Sequence, residues 1–203
     1  MRVKSIMATE PISVRENASI SDAIALMKDN SIRHLPVVDR KGRLAGFLTL
    51  ADLKQGFLPS LVADVTLADL MIKDPVTVGP EDDVEDAARL IHGKKIGGMP
   101  VVDGDGRLVG IITVIDILGA FIEMMGLLTH SVRLDVETGC APDSVSRACR
   151  VISEAGGRVI SIGLPDARPE GPVRVFRLAV EGSEESRSAL GKAGFTVLDQ
   201  SDS

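Results

Sequence analysis

With 203 residues, 44% hydrophobic and 26% charged, the chain can bury a real core in one or two domains. Its net charge of −6 argues against general affinity for nucleic acid or an anionic membrane, and no run of about eighteen apolar residues offers a membrane span. All five aromatic residues are phenylalanine, so the cores are expected to be aliphatic, and any bound ring would be held by Val, Ile, Leu or Met.

Met1-Arg2-Val3-Lys4 leads straight into a structured pattern without the apolar core of a signal peptide. Pro11-Ile12-Ser13-Val14 reads as a short extended piece. A helix is predicted to start at Ser19, the N-cap, with Asp22 three residues on and an apolar stripe at Ile20, Ala23, Ile24 and Met27. Leu35-Pro36-Val37-Val38 reads as a buried strand that ends at Asp39. The turn Asp39–Gly42 leads into a second strand toward Leu48, which is a hairpin signal. Another helix is expected near Thr49, and Lys54–Thr66, with Gly56 and Pro59, is expected to join this unit to the next.

The next unit repeats the first, sixty-four residues on and without a gap. Between Met7–Asp52 and Met71–Asp116, 17 of 46 aligned positions are identical. The stripe returns as Val84, Ala87, Ala88 and Ile91, the strand as Met99-Pro100-Val101-Val102, and the turn as Asp103-Gly104-Asp105-Gly106. A period this long marks a duplicated folding unit, here β-α-β-β-α. Two such units tend to pack about a pseudo-twofold axis, with a ligand cleft between them. The acidic run Glu81-Asp82-Asp83 reads as a helix start favoured by the macrodipole, and Asp39 and Asp103 as turn residues.

Beyond Asp116 the chain stays apolar to Met125, which suits a helix packed on a partner, and Gly126–His130 is the expected hinge. Val132–Val136 alternates as a strand. Pro142 suits the first turn of a helix with a stripe at Val145, Ala148, Cys149 and Ile152, and Gly156-Gly157 ends it. Strands are predicted at Arg158–Ile162 and Val173–Val180, separated by the Pro165–Pro172 loop. A helix over Ser183–Ala193 and a strand at Phe195–Leu198 complete a βαββαβ, ferredoxin-like order. Cys140 and Cys149 make no disulfide framework, so a reducing, cytoplasmic setting is expected. His34, His92 and His130 are scattered, with no HxxxH or CxxC spacing, and no metal site is expected.

The G-h-x-T-x-x-D endings at Gly46–Asp52 and Gly110–Asp116, with the h-P-V-V-D strands at the same offset, resemble a tandem pair of CBS domains, a Bateman module. The C-terminal third resembles an ACT domain, a small-ligand module that usually dimerises. Together they resemble the acetoin-utilisation proteins of the AcuB type. The implied fold class is α/β (α+β): a pseudo-twofold CBS pair over 1–64 and 65–128, and an ACT-like domain over 131–203.

In CBS pairs each site is shared between copies. The resemblance therefore implies one nucleotide site from Thr113 and Asp116 with Pro11, Ile12, Ile32, Arg33, His34, Leu35 and Pro36. The other combines Thr49 and Asp52 with Pro75, Val76, Ile96, Gly97, Gly98, Met99 and Pro100. The implied ligand is an adenine nucleotide: AMP, ADP, ATP or S-adenosylmethionine. Thr-x-x-Asp at a helix start is also a capping arrangement, and one residue can cap the empty helix and bind when ligand arrives. Arg33 brings five donors in a planar fork and His34 can titrate near physiological pH, so their site is expected to hold phosphates. Gly97-Gly98 offers space without charge, next to Lys94 and Lys95. The expected protein is a non-catalytic regulator, a homodimer through its CBS pair and ACT domains that signals to a partner enzyme, possibilities that include acetoin or central carbon metabolism. A ligand-free dimerisation module is the alternative. No activated nucleophile or Gly-rich phosphate loop supports an enzyme.

Overall fold

A computed structural model describes residues 1–60, 65–164 and 172–198, with side chains at 56–60 left aside. The chain forms two compact units, Met1–Leu118 and Gly119–Ser203. The first begins with a 3-10 turn at Val3–Ser5 and strand β1 (Ala8–Thr9). Then come β2 (Val14–Arg15), α1 (Ile20–Asp29), β3 (His34–Val38), β4 (Leu44–Thr49), α2 (Leu50–Ser60) and the short α3 (Leu67–Leu70). The second copy supplies α4 (Val84–Lys94), β5 (Gly98–Val102), β6 (Leu108–Thr113) and α5 (Val114–Met124).

The local signals act as read. Ser19 caps α1, its hydroxyl accepting the Asp22 amide at 3.0 Å. Ile20, Ala23 and Met27 are buried on that helix, and Val84, Ala87 and Ile91 on α4. Asp39 Oδ1 accepts the amides of Lys41 and Arg43, and Asp103 Oδ1 those of Asp105 and Arg107, which closes both hairpin turns. The joining segment is shorter than expected, because α2 continues to Ser60 and takes in Gly56 and Pro59; residues 61–64 lie outside the described part. Two helix exits use left-handed residues that are not glycine, Ser31 and Lys95, one repeat apart.

The two copies exchange their leading segments. β1 pairs antiparallel with β6 of the second copy, in the sheet β1-β6-β5, and Ile72 bridges to Phe47 on β4. Val3, Ile6 and Met7 pack in the second copy's core with Val78, Met99 and Ile112. Leu67, Leu70 and Met71 pack in the first copy's core with Met27, Leu35 and Leu48. The hairpin turns also meet reciprocally: Leu44 donates to Gly106 O at 3.0 Å and Leu108 to Gly42 O at 3.2 Å. Bonds exchanged in this way, i to j and j to i, are the signature of an isologous contact.

The second unit contains β7 (Ser131–Glu137), α6 (Ser144–Glu154), β8 (Val159–Gly163), β9 (Val173–Ala179), α7 (Ser183–Lys192) and β10 (Thr196–Leu198). The βαββαβ order is present, in an antiparallel sheet ordered β10-β7-β9-β8. Leu134, Val136, Ala148, Ile152, Phe176, Leu178 and Leu190 form its core. Asp143 takes the N-cap place and helix α6 opens at Ser144, so Pro142 precedes the helix rather than lying in its first turn. Of the Pro165–Pro172 loop only Pro172 is described. Among the described residues no helix is long and apolar enough to cross a membrane.

Candidate functional site

Each copy ends its β-hairpin on a threonine that opens a helix. Thr49 gives both its amide (2.9 Å) and its hydroxyl (2.6 Å) to Asp52 Oδ2, and its hydroxyl accepts the Asp52 amide at 3.3 Å. Thr113 and Asp116 repeat this at 2.8, 2.6 and 3.4 Å. Both pairs are therefore complete capping boxes. Among the described residues these bonds engage one oxygen of each carboxylate, Oδ2, and both boxes are only part-buried. The remaining oxygen of each carboxylate is an acceptor suited to a ribose hydroxyl.

The hairpin register decides which residues accompany each box. His34 pairs with Thr49, and Gly98 with Thr113. Leu50 donates to Arg33 O at 2.9 Å, and Val114 to Gly97 O at 3.0 Å. Arg33 and His34 thus belong beside Thr49 and Asp52 of their own copy, whereas the sequence reading grouped them with Thr113 and Asp116. Gly97 and Gly98 likewise belong with Thr113 and Asp116. An antiparallel hairpin necessarily brings the residues that enter its first strand against those that leave its second.

Sharing between copies arises elsewhere. Pro11 and Ile12 lie where the chain passes from Thr9, paired with Gly110, to Val14, paired with Val37. Pro75 and Val76 make the matching passage from Ile72, bridged to Phe47, to Val78, bridged to Val101. Leu35, Pro36, Gly98, Met99 and Pro100 are buried on the hairpin strands that lead to the boxes. Ile32 and Ile96 pack partly buried on the cores of their own copies.

Gly97 is not open space. The His34 ring fills it: a Cβ on Gly97 would lie 2.8 Å from Nε2 and 3.0 Å from Cε1. The same ring stacks on Phe47, with centroids 5.8 Å apart and planes 13° apart. Burial, and then the neighbouring Arg33 charge, hold the His34 pKa below its ordinary value. Arg33 itself is exposed. A hollow of about 510 Å³ between α4 and the start of α5 is lined by Ala88, Ile91, His92, Lys95, Ile96, Val114 and Ile117. Of the expected site residues only Ile96 reaches it, so it is a feature of the helical face. Among the described residues no group of three or more His, Cys, Asp or Glu is placed to hold a metal ion. Cys140 is exposed, and burial pushes the Cys149 thiol up, away from a reactive thiolate.

A duplicated α/β unit with exchanged leading segments and two equivalent helix-start boxes defines a paired ligand-sensing module. The model of the CBS domain matches residues 3–58 and 67–123, more than half of the chain, and the chain belongs to that family. A structure of the CBS domain pair of protein MJ0100, in complex with 5′-methylthioadenosine and S-adenosyl-L-methionine, is 32% identical with a TM-score of 0.56. It covers 60% of this chain and 95% of its own. CBSX2 in complex with AMP is 30% identical with a TM-score of 0.54, over 60% of this chain and 96% of its own. A Vibrio cholerae structure named AcuB, for acetoin utilization, is 31% identical with a TM-score of 0.58, over 63% of this chain and 96% of its own.

Inosine-5′-monophosphate dehydrogenase of Methanocaldococcus jannaschii is 30% identical over 213 residues, 97% of this chain. The chain spans only 42% of that enzyme's length, and 23% of a 36% identical homoserine O-acetyltransferase from Methanocorpusculum labreanum, matched over 56% of this chain. These matches fall on the CBS regions of larger enzymes. CBS pairs are regulatory, ligand-sensing modules, and two of the structural neighbours above, the MJ0100 CBS pair and CBSX2, are complexes with S-adenosyl-L-methionine and with AMP.

Proposed function

We propose that the first unit binds an adenine nucleotide or adenosyl ligand and that the protein regulates without catalysing a reaction. The observation that carries this reading is the pair of equivalent Thr-x-x-Asp boxes, each with a carboxylate oxygen to spare at a helix start. The box at Thr49 has Arg33 and His34 beside it and is the one suited to phosphates, by the planar donor fork of Arg33. The box at Thr113 has glycines in their place and suits an adenosyl ligand with fewer phosphates. The adenosyl and AMP complexes of the structural neighbours support the ligand class.

The second unit, with its βαββαβ order, is proposed to be an ACT-like dimerising domain, in a cytoplasmic homodimer that signals to a partner enzyme. The likeness to AcuB supports a role near acetoin metabolism. A dimer interface is supported by α5, which buries none of its residues and leaves Ile115, Leu118, Phe121 and Met124 exposed.

Isothermal calorimetry with AMP, ADP, ATP and S-adenosylmethionine tests the ligand claim. At least one is expected to bind, and silence from all four refutes it. Asp116→Ala and Asp52→Ala should each weaken their own site about tenfold or more, as loss of a charge-assisted hydrogen bond implies. A fall in melting temperature with unchanged affinity would mean that the carboxylates only cap.

A further inference from the structure

One imidazole touches both candidate sites. His34 belongs to the first copy by register, opposite Thr49 and directly after Arg33, whose carbonyl takes the Leu50 amide. Its ring crosses to the second copy and rests against Gly97. Gly97 in turn accepts the amide of Val114, the residue directly after Thr113. The ring is held by its stack on Phe47 and by that contact, and among the described residues neither nitrogen has a hydrogen-bond partner. The duplication supplies no second ring, because the position equivalent to His34 is Gly98. Among the described residues this ring is therefore the side chain seen to reach from one box toward the other. An unpaired imidazole beside an arginine is also the group that an incoming phosphate would recruit.

We propose that His34 couples the two nucleotide sites: a ligand phosphate taken up beside Thr49 and Asp52 draws the ring off Gly97 and so changes the affinity at Thr113 and Asp116. This coupling rests on the nucleotide reading above. By linkage the effect is reciprocal, so ligand at Thr113 changes affinity at Thr49 by the same factor.

The test is AMP titration by calorimetry of the full chain and of Asp52→Ala and Asp116→Ala, each with His34 intact and with His34→Ala. With His34 present, the two-site isotherm should depart from the sum of the two single-site isotherms, with affinities shifted about fivefold or more. With His34→Ala it should equal that sum. If the intact chain binds a single AMP, that ligand does not draw the ring off Gly97, and the coupling is overturned. His34→Gln serves as the second variant if the alanine form does not fold. Additive binding in the intact chain, or a departure that survives both substitutions, likewise overturns the coupling and leaves the nucleotide reading standing. No AMP binding by any form, with no binding of the other three nucleotides, overturns both.

Discussion

His34 places a titratable ring where burial opposes its charge, next to a fixed cation. Its folded pKa lies below the unfolded value, so between the two the unfolded chain binds more protons and stability rises with pH. The contribution is complete above about 6.5, the ordinary histidine value, and is lost as pH falls through that window. The melting temperature should therefore drop between pH 7.5 and 5.5 by more in the intact protein than in His34→Gln, and equal slopes would contradict the burial. The sequence showed the mismatch of Arg33-His34 with Gly97-Gly98 but not its meaning. Pattern reading made Gly97 an open pocket wall, whereas it is the seat of a ring from the other copy. Contacts between residues sixty-three positions apart leave no periodic mark on a sequence, and only the packed copies reveal them.

Among the elements, the capping and turn chemistry was legible because each device is local: Ser19 with Asp22, Asp39 with Gly42, and Thr49 with Asp52 all lie within four residues of their partners. The grouping of the boxes with their neighbours was not, since it follows from hairpin register, nor was the end of α2, where Pro59 suggested a loop. In the second unit the junction of α6 and α7 depends on Gly182, with φ of +74°. A Cβ there would meet Gly156 O at 2.5 Å and Gly157 N at 2.9 Å. Backbone cannot yield as a side-chain end can, so Gly182→Ala should cost about 2–3 kcal/mol. Gly104→Ala, in a hairpin turn with nothing within 4 Å, should be near neutral. Thermal melting of the two variants checks this, and equal melting temperatures would refute it.

For the molecule as a whole, the apolar face of α5 is the feature to explain. If it joins two copies of the chain, Leu118→Glu combined with Phe121→Glu should convert a dimer to a monomer in light scattering, with nucleotide affinity retained. A chain already monomeric at micromolar concentration would remove the interface. The duplication was legible at this scale, down to its offset, but the exchange of leading segments was not, because a strand of two residues, Ala8–Thr9, carries no pattern of its own. That exchange has a consequence for birth of the protein on the ribosome. The partner strand of β1 ends at Thr113, so β1 must wait for about a hundred more residues before its own sheet exists. At roughly 5–20 residues per second, Val3 and Met7 spend several seconds as exposed apolar side chains with nowhere native to go. The first copy needs nothing later than Ile72 for its own sheet and core, so it can mature first, while the second copy must wait to reclaim a strand made before it.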